Sequence, residues 1–157
     1  MPRSSKKRVA LFGGGRWARV LLGVCLKIPK HNLVFSVHTK HCAGDMKRWV
    51  TQNGYEDRVE VTTAPPDLLG LNYIAAIVAN AADGHKKSAE MAIGAKIPVL
   101  VEKPMTNSYA DTCSLIQSAK NKGTCLSSSL VFMHAQYIDN FINSLPKAGR
   151  ISKIYFD

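Results

Sequence analysis

Three features are scarce in this sequence, and each scarcity excludes a class of protein. No stretch approaches the roughly 18 uninterrupted apolar residues that a membrane-spanning helix requires, so we expect no membrane partner. The four cysteines, at 25, 42, 113 and 125, form no CxxC pair, which argues against zinc-ribbon and thioredoxin-type sites. We expect no metal, and we expect free, mostly buried thiols in a reducing cytoplasm.

Acidic residues are also scarce, with 11 Asp and Glu against 21 Lys and Arg, which gives a formal net charge of +10. An excess of this kind suits nucleic acid, an anionic membrane or a phosphorylated ligand. Apart from a cluster at positions 3–8, most of the basic residues are scattered singly, and a merely solvated surface is the plain alternative. No basic and aromatic motif of a known nucleic-acid module is present, so that partner is disfavoured.

The N-terminus has a basic start followed by an apolar stretch, as in a secretory signal. Gly13, Gly14 and Gly15, then Arg16 and Arg19, interrupt the stretch where an apolar core would lie. We therefore predict a cytoplasmic protein. With 157 residues, 46% of them hydrophobic, the chain is long enough to bury a core without disulfides.

Short apolar runs alternate with segments of helical spacing along the whole chain. We expect Asp83 and Ser108 to cap two of the helices and Gly123 to end one. The alternation predicts an α/β fold, a doubly wound parallel sheet wrapped by helices on both faces. The predicted strands are 8–12, 33–38, 59–63, 73–79, 97–101, 124–132 and 151–156, and the predicted helices are 17–28, 45–52, 83–95, 108–122 and 135–145, with a helical turn at 67–71.

A glycine-rich turn, GGGRWA, follows the first predicted strand and opens a helix. It fits the GxGxxA pattern of dinucleotide-binding turns. Gly13 permits the tight turn, Gly15 lets the backbone approach a pyrophosphate, and Ala18 lets the helix pack close to the strand. We expect Arg16 to assist with phosphate charge, and Trp17 to pack near the cofactor without doing chemistry. A purely structural glycine turn remains the alternative.

The end of the second predicted strand points to the kind of dinucleotide. NAD and S-adenosylmethionine sites usually place an acid there to bind ribose hydroxyls, about 20 residues past the glycines. Here positions 37–41 read VHTKH, without a carboxylate. Thr39 and Lys40 suit a 2′-phosphate better, so NADP is favoured over NAD as the dinucleotide. A methyltransferase, which also has a glycine-rich turn after its first strand, is the runner-up class of protein. The alternative for positions 38–41 is a solvated loop.

A third pattern, VEKP at 101–104, follows the fifth predicted strand. Together with the glycine turn and His85 after the fourth strand, it resembles the Gfo/Idh/MocA oxidoreductases, the glucose-fructose oxidoreductase and inositol dehydrogenase group. Short-chain dehydrogenases are set aside because none of the tyrosines at 55, 73, 109 and 137 is followed by Lys four residues later. Without the resemblance, a Glu-Lys pair at a strand end would read as a surface ion pair.

The resemblance implies roles for five residues. Lys103 would lie beside the nicotinamide and substrate as the catalytic residue, with Glu102 supporting it and Pro104 shaping the loop. Asn80 and His85 would line the cofactor, although relatives usually carry Thr-Pro-Asn where this chain has NAA at 80–82. His134 is a weaker candidate near the substrate, and a surface histidine is the alternative there.

The resemblance further implies two domains: residues 1–130 as the cofactor domain and 131–157 as the truncated start of an α+β substrate domain. The implied activity is hydride transfer between NADP, or alternatively NAD, and a sugar- or cyclitol-like alcohol or carbonyl. A non-catalytic NADP(H) sensor or partner module is the second hypothesis. An exposed edge in the last predicted strand would favour a homo-oligomer.

Overall fold

The computed structural model describes residues 6–28, 33–69, 72–130, 135–147, 149–150 and 153. Within them, six strands form one sheet: β1 (Lys7–Phe12), β2 (Leu33–His38), β3 (Val59–Thr62), β4 (Tyr73–Val78), β5 (Val99–Glu102) and β6 (Leu126–Ser129). Five helices accompany the sheet: α1 (Arg16–Leu26), α2 (Ala43–Gln52), α3 (His85–Gly94), α4 (Tyr109–Lys122) and α5 (Gln136–Ser144). Short 3₁₀ turns lie at Ala82–Gly84 and Leu145–Lys147.

The sheet is parallel throughout, in the order β3-β2-β1-β4-β5-β6. This is the Rossmann order, so the predicted fold class is confirmed. Strands β2 and β3 extend the sheet on one side of β1. Strand β4 pairs with the other side of β1, and β5 and β6 extend the sheet beyond it. The carboxyl ends of β1 and β4 therefore flank the switch point, where open α/β sheets bind their ligands.

Helices cover both faces of the sheet because alternate residues of each strand point to opposite sides. Val9 and Leu11 of β1 pack in a buried cluster with α1 and α2. Ala10 and Phe12 pack in a second cluster with α3 and α4. These two cores hold the strand ends, and the loops that follow them, in fixed relative positions.

Several local predictions are confirmed and others are wrong. Ser108 caps α4 by accepting a hydrogen bond from the Asp111 N–H at 3.1 Å, and Gly123 ends that helix with φ +64°. Asp83 is not a cap, because it lies in the 3₁₀ turn and α3 begins two residues later without a side-chain cap. At the predicted helical turn, the described residues form only a tight turn at Leu68 and Leu69.

The sixth strand is shorter than predicted and ends at Ser129. His134 and, apart from Lys153, the predicted last strand lie outside the described residues. All four cysteines are free, but the expectation of mostly buried thiols is wrong, since Cys113 and Cys125 are exposed. Among the described residues, no helix is long and apolar enough to cross a membrane and no cluster of His, Cys, Asp or Glu could hold a metal ion.

Candidate cofactor and active site

The turn after β1 requires glycine at its first position. Gly13 has φ +114°, and its N–H donates to the carbonyl of His38 at 3.0 Å. A Cβ at this position would lie 2.5 Å from the carbonyl oxygen of Ala79. Because only glycine allows this approach, the β1 turn can lie directly against the end of β4.

No side chain caps the start of α1, where the first backbone N–H groups have no partner within the helix. Gly15 precedes the helix, has no side chain to cap it, and the first turn contains no acidic residue. No atom lies within 4 Å of the place where a Gly15 Cβ would stand. Free N–H groups, the positive end of the helix and the open space above Gly15 together fit a pyrophosphate.

A cavity of about 710 Å³ runs along this crevice, from the glycine turn to the end of β2 and the end of β4. Ala18 is fully buried in the cluster between α1 and the sheet, where a small side chain is expected. The cavity is lined by residues 13–17, 38–42, 79–81 and Asp83.

Thr39 and Lys40 lie at the far end of the crevice. The Thr39 side chain packs over Gly14, where a Cβ would come within 2.6 Å of the threonine methyl carbon. The Thr39 N–H donates to the Thr62 carbonyl at 3.0 Å, which fixes this loop to the end of β3. Lys40 is exposed and lines both this cavity and a neighbouring one of about 310 Å³, beside Pro65 and Lys87.

The half-buried ring of His38 lies at this end of the site. Burial lowers the pKa of its imidazole from the ordinary 6.5, and the hydrogen bond between its Nδ1 and the Ala64 carbonyl, 2.8 Å long, opposes this change. The neutral ring therefore donates through Nδ1, and it adds no positive charge of its own to the loop at neutral pH.

At the opposite end of the crevice, a cavity of about 280 Å³ joins the end of β4 to the end of β5. Lys103 is exposed there, while Glu102 is only 5% exposed. One carboxylate oxygen of Glu102 accepts from the Lys103 N–H at 3.1 Å, and the other has no partner among the described residues. The residues around this cavity are Trp17, Ala79, Asn80, Ala82, His85, Glu102 and Lys103.

His85 and Asn80 form the connected wall of this cavity. The His85 ring is 2% exposed, with Nδ1 2.8 Å from the Pro104 carbonyl oxygen and Nε2 3.0 Å from the Asn80 carbonyl oxygen. The Asn80 amide donates to the Ser88 hydroxyl at 3.1 Å. Both ring nitrogens of His85 therefore lie within hydrogen-bond distance of a carbonyl oxygen, and a neutral ring donates to one of the two.

The structure brings the predicted site residues to one edge of the sheet. Three do not line the crevice or its end cavity: Ala18 lies beneath the turn, Pro104 contacts the cavity wall only through its carbonyl on His85, and His134 is outside the described residues. Sequence reasoning missed Gly14, Asp83 and Lys87. Gly14 is part of the glycine motif, but only the structure shows that its missing side chain makes room for Thr39. Lys87 could not be placed beside the Lys40 cavity without knowing which face of α3 it occupies.

Two comparisons address the family. The family model described as "Oxidoreductase family, NAD-binding Rossmann fold", for the Gfo/Idh/MocA proteins, matches residues 7–130. A comparison with curated protein sequences gives no significant match.

Solved structures agree on the fold. A Gfo/Idh/MocA family oxidoreductase from Vibrio cholerae is similar over 89% of this chain and 43% of its own, at 23% identity and TM-score 0.72. GenD2 from gentamicin A biosynthesis, in complex with NAD, is similar over 94% and 42%, at 24% identity and TM-score 0.73. Biliverdin reductase from Synechocystis sp. PCC 6803, with biliverdin and NADP⁺, is similar over 91% and 44%, at 21% identity and TM-score 0.73.

This chain spans less than half the length of each of these solved chains. At such identities the likeness concerns the fold, whereas the family model concerns the sequence and covers most of the chain. The glycine turn, the strand order and the matched residues agree, and the chain belongs to the Gfo/Idh/MocA oxidoreductase family through its NAD-binding Rossmann domain.

Proposed function

We propose that this chain is the cofactor-binding part of an NADP(H)-dependent oxidoreductase. The observation that carries the proposal is the crevice itself. A glycine turn and the start of α1 provide donors for a pyrophosphate, while a hydroxyl and a lysine stand at the far end where a carboxylate would bind the ribose of NAD.

The choice of NADP over NAD rests on charge at the end of β2. No carboxylate occurs at 38–41. The nearest acid along the chain, Asp45 in the first turn of α2, already forms an ion pair with Arg48. Thr39 would donate a hydrogen bond to the 2′-phosphate and Lys40 would supply charge, with Arg16 near the pyrophosphate.

The proposed catalytic residue is Lys103. When bound, the nicotinamide supplies the hydride chemistry. The Lys103 ammonium group would polarise a substrate oxygen or assist its proton transfer, and the buried Glu102 carboxylate holds the Lys103 backbone N–H. By family resemblance we propose a sugar- or cyclitol-like alcohol or carbonyl as the substrate.

A titration with NADPH and NADH, followed by nicotinamide fluorescence, tests the cofactor proposal. We expect NADPH to bind about tenfold more tightly than NADH. Lys40→Asp should abolish this preference, because it replaces the phosphate-binding charge by a repelling one. Lys47→Asp is the matched control, an equal charge change at an exposed position of α2 outside the crevice, and should preserve the preference.

Absence of binding by either nucleotide at millimolar concentration would refute the proposed function. An unchanged preference in Lys40→Asp would refute the phosphate site alone. If the chain lies within a longer protein that binds NADPH but shows no turnover of sugar alcohols, the sensor or partner module becomes the better assignment.

We also propose that residues 1–130 form the cofactor domain and that 131–157 start a substrate domain. We further propose that the protein self-associates. Its proposed compartment is the reducing cytoplasm. The family match to residues 7–130 supports the division, and the four free thiols support the compartment. Sedimentation at several protein concentrations tests self-association, and a strictly monomeric species would contradict it.

A further inference from the structure

We propose that His85 is a positioning residue that ties the loop after β4 to the loop after β5 and thereby sets the width of the nicotinamide-end cavity. The inference rests on the proposed function, since it concerns the same crevice. It differs from the role expected from the sequence, in which this histidine would contact the cofactor directly.

The His85 ring lies between the loop after β4 and the loop after β5, and these loops are not joined by a direct covalent link. His85 is the first residue of α3, and its imidazole reaches back to the Asn80 carbonyl at 3.0 Å and across to the Pro104 carbonyl at 2.8 Å. Asn80 lines one wall of the cavity and Lys103, beside Pro104, lines the other. The ring therefore connects the two walls through backbone atoms.

The chemistry of the two contacts suits histidine. A carbonyl oxygen only accepts hydrogen bonds, and a planar imidazole has a nitrogen on each side of its ring that can carry an N–H. The neutral ring donates to one wall, and the doubly protonated ring donates to both. Because the ring is 2% exposed, water does not compete for either carbonyl at the ring.

Other contacts hold the surroundings of the ring rigid. The Asn80 amide donates to the Ser88 hydroxyl at 3.1 Å on the next turn of α3, and Ala89 and Ile93 of α3 pack with Leu115 of α4 in one buried cluster. Helix α3 is thus fixed to α4, and His85 transmits that fixed position to the two loops. A site held in this way binds its ligand without first having to order the loops.

The experiment compares ligands that use different ends of the crevice. NADPH reaches the nicotinamide end, whereas adenosine 2′,5′-bisphosphate occupies only the adenine and 2′-phosphate end. In His85→Phe we expect NADPH affinity to fall about tenfold and bisphosphate affinity to stay within about twofold. His85→Gln keeps an amide donor and should recover part of the NADPH affinity.

Lys86→Gln is the control, since it breaks the ion pair between α3 and α4 without lining the cavity. It should leave both affinities unchanged. An equal loss of both ligands in His85→Phe, or no loss of either, would overturn the positioning role. Histidine variants that fail to fold while Lys86→Gln folds would assign the ring to core packing and overturn it as well.

Failure of the proposed function gives a different pattern. In that case the unmodified chain binds neither NADPH nor the bisphosphate, whatever stands at position 85. Binding of both ligands by the unmodified chain, with no difference between their responses in the variants, would refute the inference and leave the proposed function standing.

Discussion

At the scale of single residues, the two outer glycines of the β1 turn have different tasks. Gly13 has positive φ and no room for a Cβ beside the Ala79 carbonyl, whereas Gly15 has an ordinary φ of −72° and open space around it. The fold requires glycine at position 13, whereas at position 15 only the proposed pyrophosphate would require it.

This difference predicts opposite outcomes for the same substitution. Gly13→Ala should lower the free energy of unfolding by about 2 kcal/mol or more, through strained backbone and the clash with β4. Gly15→Ala should cost less than about 1 kcal/mol, yet weaken NADPH binding at least about tenfold, because its methyl would occupy the approach of the pyrophosphate. Urea unfolding and NADPH titration of both variants provide the check. Equal stability losses would contradict the assignment.

His38 gives the site a pH-dependent contribution to stability. Burial lowers its pKa in the folded protein below 6.5, so the unfolded chain takes up a proton more readily. The contribution is therefore complete above about pH 6.5 and is lost as the pH falls through the lower folded value.

We expect the stability advantage of the wild type over His38→Asn to shrink between about pH 7.5 and about pH 5.5. The variant keeps an amide donor for the Ala64 carbonyl but has no group that titrates in this range. Urea unfolding of both proteins at several pH values measures the difference. A constant difference across the range would show that burial does not act on this ring.

The role of a residue could be predicted only where it belongs to a motif whose spacing implies a known local structure. Gly13 and Ala18 follow from the GxGxxA pattern, because the pattern encodes a tight turn and a close helix. The two carbonyl contacts of His85 could not be predicted, since Pro104 lies 19 positions away and meets the ring only in the folded chain.

At the scale of elements, helix ends were predicted correctly where the residue type alone favours a cap or a terminator. Ser108 and Gly123 both follow from residue type, and the structure has each in its expected geometry. Asp83 misled because an acid before a helical run is a common cap, but an intervening 3₁₀ turn moves the helix start to His85.

The cap at Ser108 predicts a measurable loss. Ser108→Ala removes the acceptor of the Asp111 N–H and should lower the free energy of unfolding by about 1 kcal/mol. Ser114→Ala, at an exposed position within the same helix, is the matched control and should be neutral or slightly stabilising, because alanine favours helix. Thermal unfolding compares the two, and an equal effect of both would contradict the capping role.

At the scale of the whole molecule, the sequence predicts an alternating parallel fold, whereas the strand order is a property of the assembled sheet. Periodicity does not say on which side of β1 the fourth strand pairs. Once β4 pairs there, the glycine turn, Thr39 and Lys103, far apart in the chain, come to the same edge. The resemblance implied only that the glycine turn, His85 and Lys103 belong to one site, and it gave no strand order.

We propose that one dinucleotide lies across the carboxyl ends of β1, β2 and β4, and an NMR titration of the ¹⁵N-labelled chain with NADPH locates it. The largest amide shifts should fall at 13–18, at 38–41 and at 80–85, with Lys103 also affected. Saturable shifts confined to other surfaces, such as the exposed side of α4, would contradict it.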